Sequence, residues 1–186
     1  MWITIAPFVT VRDYCMICIT FLHGLRVSEL LNLKVSDYDP HTRQIHIRRL
    51  KKGLSTTQPL LPEEDRMLHC WLEERTHIVR RAPDEEWLFL SRHGRRLSRQ
   101  RFWQLLQKYG RDAKLSVRPH PHMLRHACGF NLAERGNDTR LIQDYPGHRN
   151  IRHTVHYTAS NAGRFRGVWF RNDSLSPLCG TEEHCV

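Results

Sequence analysis

Between Arg118 and Asp138 the chain reads RPHPHMLRHACGFNLAERGND, and this stretch restricts the possible folds more than any other. Pro119 and Pro121 keep the approach extended, because a proline ring fixes φ and disfavours helical geometry in the residue before it. A helix is predicted from about His122 to Arg135, with Gly136 as its stop. Leu124, Ala127, Cys128 and Leu132 form its predicted core stripe. His122 and Arg125, three apart, share a different face and are predicted to leave the core together. Spacing alone thus presents an imidazole and a guanidinium side by side.

Residues 1–11, MWITIAPFVTV, have no helical period and read as an irregular lead-in. Residues 12–23 read as a buried helix broken by His23 and Gly24. RVSELLNL then resumes a helix with Val27, Leu30 and Leu31 on one face; Arg26 and Glu29 lie on another, at its N-terminal end. SDYDPHT is a turn by its Asp, Pro and Ser content, and QIHIRRL alternates as a strand. KKG turns tightly into STTQPLL, a return strand, so Lys51 and Lys52 lie at or beside a hairpin tip. LPEEDRMLHCWLEERT reads as an amphipathic helix with acidic residues in its first turn, as the helix dipole prefers. PDEEWLFLSRHGRR gives a short apolar strand and a basic turn, after which Ser98 caps a helix through about Asp112. No repeat, low-complexity tract or Gly/Ser linker divides the chain, so one domain is expected, of α+β class and mainly α.

What such a domain would bind is suggested by its charge. Against 19 Asp+Glu stand 29 Lys+Arg, a formal net charge of +10. A polyanionic partner follows, nucleic acid before anionic membrane. CMICITFLHGL, the longest clearly apolar run, falls far short of the roughly 20 residues that span a bilayer. It also lacks the charged leader of a secretory signal, so a cytoplasmic location is expected. The six cysteines are then expected to be reduced, several of them filling the core. Cys15-x-x-Cys18 has no partner motif at zinc-finger spacing and sits in an apolar helix. His148, His153 and His156 have no carboxylate or thiol to complete a metal set in their stretch, so no metal or other cofactor is expected.

Each polar feature is weak alone, but their order is specific. GLRVSEL, a lysine on a hairpin, HMLRH, Gly-His and a tyrosine nine residues on together resemble the tyrosine recombinases, or integrases. The resemblance runs from about Arg12 to Arg166 and implies that family's catalytic domain, mainly α with a small antiparallel β-sheet, over residues 12–166. RRLKKGLSTTQPL, FLSRHGRRLSRQ and DTRLIQDYPGHRNIRHTVHYTASNAGRF further resemble the fimbrial phase-variation invertases of enteric bacteria. That likeness implies inversion of a promoter-bearing DNA segment between inverted repeats. It also implies a homo-tetramer on double-stranded DNA, DNA-bending accessory proteins and association with the nucleoid. A rival of another class is a catalytically impaired regulator bound to the same repeats.

The implied chemistry suits the residues. A phosphodiester resists attack because it is already anionic, so charge building on its non-bridging oxygens must be neutralised. Arg26 and Arg125 match the two family arginines, whose planar forks can grip phosphate. His148 matches the Gly-His histidine that would add a hydrogen bond, and His122 the histidine that would accept the nucleophile's proton or orient the phosphate. Tyr157 matches the nucleophile, which would form a 3′-phosphotyrosine. Lys51 is the implied general acid for the departing 5′-oxygen, with Lys52 its close competitor. Tyr145, ahead of the Gly-His turn, reads as a buried aromatic.

Candidate DNA contacts are Arg48, Arg49 and Lys52 near the hairpin, Arg92, Arg95, Arg96, Arg99 and Arg101 around the basic turn, and Arg149 and Arg152. Gln100 and Gln104, with Arg99, are candidate base readers on the helix from Ser98. Residues 167–186 form a tail whose Val168, Trp169 and Phe170 could dock on a neighbouring subunit. Two features depart from the family pattern. Pro146 replaces a usual leucine and is expected to push Tyr145 out of helical geometry, displacing His148. The first ten residues do not resemble the helix expected there, so the start is expected to be truncated or unusual.

Overall fold

Thr10 opens the first helix, its side-chain oxygen accepting a hydrogen bond from the Asp13 backbone N–H at 3.3 Å. The structure is a computed structural model and describes residues 9–50, 54–79 and 86–147. Helix α1, Val11–Leu22, ends at His23, and Gly24 turns the chain at φ +59°, where any side chain would be strained. A single turn follows, α2, Val27–Leu30. A 3-10 turn at Val35–Asp37 leads into strand β1, Tyr38–Asp39. β1 pairs antiparallel with β2, Gln44–Ile47, which pairs antiparallel with β3, Thr56–Pro59. SDYDPHT therefore supplies an edge strand as well as a turn, in a piece too short to show alternation.

Four helices complete the described chain: α3, Pro62–Val79; α4, Arg99–Asp112; α5, Pro121–Glu134; and α6, Thr139–Asp144. Pro121 sits in the first turn of α5, where a missing N–H costs nothing. Asp138 caps α6 by accepting from the Leu141 N–H at 2.9 Å. α1 packs against both α3 and α5. Met16, Ile19, Leu25, Leu30, Ile45, Ile47, Leu68, Trp71, Leu88, Phe89 and Phe102 are fully buried around it. Cys15, Cys18 and Cys128 are buried free thiols, as expected of core filler; burial raises Cys18 to about 11 and Cys128 to about 12.

Two local expectations need correcting. WLFL is not a strand: residues 88–90 are buried, but only isolated bridges form, Lys34 with Trp87 and Leu90 with Arg96. Side chains take the carbonyls that a ladder would use. Arg75 donates to the Trp87 carbonyl, the Trp71 indole to Leu88 at 2.9 Å, and Arg12 to Leu90 at 3.0 Å. On α5, the predicted stripe is rotated. Ala127 is exposed, and the buried residues are Arg125, Cys128, Gly129 and Ala133.

Candidate active site

A carboxylate with no exposed side-chain surface lies where α2, the sheet and α5 meet. Glu29 reaches back over the start of α2, its Oε2 accepting from the Arg26 backbone N–H at 2.9 Å and its Oε1 from Arg26 Nη1 at 2.6 Å. Arg49 Nη1 donates to Oε2 at 3.0 Å, and the Leu50 N–H to Oε1 at 3.3 Å. Arg125 Nη1 comes within 3.7 Å of the same Oε2. Three guanidinium groups thus surround one carboxylate. Burial works against the Glu29 charge, but Arg26 hydrogen bonds and the Arg49 and Arg26 charges outweigh it and hold the group below its ordinary value.

The three arginines differ in access. The Arg26 side chain keeps 27% of its surface exposed, against 6% for Arg125 and none for Arg49. Arg125 spends one nitrogen on the Gly24 carbonyl, at 2.5 Å. Arg49 also approaches that carbonyl, at 3.4 Å, and donates to the His23 carbonyl at 3.0 Å and the Tyr145 carbonyl at 2.6 Å. Burial pulls the Arg49 guanidinium below its usual value, with Glu29 opposing the shift. Arg49 therefore cannot serve as the surface DNA contact expected of it. Arg125 likewise does not leave the core with His122. His122 is exposed, its ring edge-on to His120 at 6.4 Å, while Arg125 is buried because carbonyl and carboxylate acceptors await it inside.

A second buried polar set adjoins the first. Gln58 Nε2 donates to the Tyr145 carbonyl at 2.7 Å, which orients the amide so that Oε1 accepts from His23 Nδ1 at 2.7 Å. His23 Nε2 lies 3.0 Å from Glu64 Oε1, and the Tyr145 hydroxyl 3.4 Å from His23 Nδ1. Tyr145 is half-buried and stacked on His23, with burial raising its phenol well above the usual value. Its supporting role matches the sequence reading.

Pro146 does not unwind its neighbour. Tyr145 keeps helical angles, φ −58° and ψ −54°, and its N–H bonds the Leu141 carbonyl at 2.8 Å. The two donors on its carbonyl fix the peptide that proline would otherwise turn. Pro146 is buried beside Gly24, so close that a Cβ on Gly24 would meet the proline Cβ at 2.9 Å. Gly147 then ends the turn at φ +71°, covered by the Arg49 side chain.

Arg92, Arg95, Arg96, Arg99, Gln100, Arg101 and Gln104 are all exposed. Ser98 caps α4 by accepting from the Arg101 N–H at 3.1 Å. Arg96 is held in place, 4.2 Å from the Trp87 ring centre with Nε donating to the Leu31 carbonyl at 3.0 Å. Arg48, itself exposed, is paired with the buried Asp37. Trp103, 48% exposed on the polar side of α4, escaped the sequence reading because an aromatic in a helix is usually core. Lys51, Lys52, His148, Arg149, Arg152, Tyr157 and the tail 167–186 lie outside the described residues, as do residues 1–8.

Comparison with known proteins matches residues 5–164 to the phage integrase family. The chain is 56% identical over 160 residues to the type 1 fimbriae regulatory protein FimB of Escherichia coli K12, covering 86% of this chain and 79% of that protein. It is 51% identical over 172 residues to FimE of the same strain, covering 92% and 86%. Among solved structures, the XerH site-specific recombinase in a pre-cleavage complex with its difH substrate matches with TM-score 0.71 and 25% identity. That match covers 91% of this chain and 50% of XerH, so the chain spans about half the length of that recombinase.

Proposed function

From the premise that this chain belongs to the phage integrase family, we propose that it is a tyrosine-type site-specific recombinase inverting a promoter-bearing DNA segment between inverted repeats, as a switch of fimbrial expression. The observation that carries this reading is the convergence of Arg26, Arg49 and Arg125 on the single Glu29 carboxylate. One negative charge among three positive ones leaves a cationic excess in a site poorly screened by water, and an incoming phosphate relieves it. Arg26, the most exposed of the three, and Arg125 receive the non-bridging oxygens, joined by His148. His122 orients the phosphate or accepts the phenolic proton.

In the reaction, the Tyr157 oxygen attacks phosphorus and the bond to the 5′-oxygen breaks. The tyrosine proton passes to a base, and Lys51, or Lys52 beside it, gives a proton to the departing oxygen. The 5′-hydroxyl of the partner strand then attacks the 3′-phosphotyrosine and releases the phenol. Because the bond energy is held in the phosphotyrosine, rejoining needs neither ATP nor metal. Four copies assemble on two repeats with the help of DNA-bending proteins, in association with the nucleoid. Among the described residues no helix is long and apolar enough to cross a membrane.

The rival reading of an impaired regulator rests on Pro146 and on the unusual first ten residues; against the first stands Tyr145, which keeps helical angles beside the proline, while residues 1–8 lie outside the described residues. A supercoiled plasmid carrying a fimbrial promoter segment between inverted repeats tests the proposal. Purified protein is expected to switch the segment's orientation, read by restriction digestion, and Tyr157→Phe to leave it fixed. Binding to the repeats without any switching would return the regulator to first place.

A further inference from the structure

Gln58 stands on β3 and Arg49 two residues past the end of β2, both next to the site and both buried: Arg49 is 6% exposed and Gln58 2%. Both aim a donor at one acceptor, the Tyr145 carbonyl, at 2.6 and 2.7 Å. That peptide begins the Tyr145–Gly147 turn, directly before His148 in sequence. Arg49 also grips Glu29 Oε2, the oxygen that accepts the Arg26 N–H, and the carbonyls of His23 and Gly24 just ahead of Arg26. One buried guanidinium therefore touches the segment that carries Arg26, the carboxylate that orients it, and the turn leading to His148. Gln58 extends the tie to His23, and through it to Glu64 of α3.

We propose that Arg49 and Gln58 are positioning residues for recombination, locking the Arg26 segment and the Tyr145–Gly147 turn to the hairpin so that the phosphate-binding groups keep one spacing. This rests on the reading of Arg26, Arg125 and His148 as phosphate ligands. The hydrophobic cluster around α1 contains no residue of that turn, so these polar contacts set where it sits, and packing alone would tolerate small shifts of it. Reactive geometry is far less tolerant, because a displacement of about 1 Å can cost on the order of a hundredfold in rate.

The test uses the full chain with nicked repeat DNA, whose cleaved fragment diffuses away and traps the covalent protein–DNA adduct. Two variants are compared with the unaltered protein: Arg49→Lys, which keeps a charge but loses the fork, and Gln58→Met, which keeps the volume but loses donor and acceptor. Each is expected to bind DNA within about threefold of the unaltered protein while its single-turnover cleavage falls at least about tenfold. A readout on a scissile methylphosphonate separates positioning from general damage. That linkage lacks the charge Arg26 and Arg125 neutralise, so the defect is expected to shrink on it.

Cleavage equal to that of the unaltered protein in both variants overturns the inference, as does a loss of the same size on both linkages. Should Arg49→Lys fail to fold, as read by thermal unfolding, Gln58→Met alone decides by the same two criteria. If the unaltered protein itself forms no adduct, the recombinase reading fails and the inference falls with it. An adduct in the unaltered protein with indifferent variants sinks the inference alone.

Discussion

Glu29 is a small residue for the number of groups that depend on it. Its two oxygens hold the Arg26 backbone and side chain, Arg49 and the Leu50 N–H. Removing one partner from a buried charge set leaves the others uncompensated, so Glu29→Gln is expected to lower stability by about 3 kcal/mol in denaturant titration at neutral pH. The pH dependence follows from the sign of its shift. The folded carboxyl titrates below its ordinary 4.5, so its contribution is present above that value and is lost as the pH falls through the lower folded one. The stability gap between the two proteins should therefore narrow below about pH 4; a constant gap would mean that the lost charge is not the cause.

Pro146 carries a second residue-scale expectation. Two donors hold the Tyr145 carbonyl, and the ring already fits against Gly24. Pro146→Leu should therefore change the cleavage rate by less than about threefold, because the turn through Gly147 is already held with the proline in it. A rise of tenfold or more would show that the proline does displace the turn.

At the scale of elements, α4 is the part that offers polar groups to a groove. Its Ser98 cap satisfies the Arg101 N–H, and losing such a cap costs about 1 kcal/mol. Ser98→Ala should fray the turn bearing Arg99, Gln100 and Arg101 and weaken repeat binding, measured by fluorescence anisotropy, while leaving the Glu29 cluster intact. The periods of these elements also explain what could be read in advance. α1, α3, α4 and α5 were legible as helices because caps, prolines and apolar spacing agree, although the buried face of α5 is rotated from its predicted stripe. Arg49 has the same strand parity as the buried Ile45 and Ile47, yet its basic neighbours pointed outward to DNA. Arg125 likewise falls on the helical stripe with Cys128 and Gly129, where an arginine is not expected until its buried acceptors are known. Gln58 gave no signal, since its role depends on the Tyr145 carbonyl brought from 87 residues away along the chain, and the role of His23 depends on Gln58 and Glu64, 35 and 41 residues away.

Across the whole molecule, charge and order of motifs conveyed the partner and the family, whereas the distances that make a site came only with folding. The net charge of +10 predicts binding dominated by phosphate contacts. Engagement of about six to ten phosphates would cost on the order of a thousandfold or more in affinity between 50 and 200 mM salt, each contact releasing a counterion. A nearly flat salt response would remove the basic surface from the binding site.

The most direct measurement is peptide mapping of the covalent species trapped on nicked repeat DNA. A mechanism in which the arginine cluster receives the scissile phosphate and a tyrosine attacks it predicts one nucleotide-modified peptide, attached through Tyr157 to a 3′-phosphate. Loss of that species is expected in Tyr157→Phe. Attachment at Tyr145, or tight binding with no adduct at any tyrosine, would contradict it.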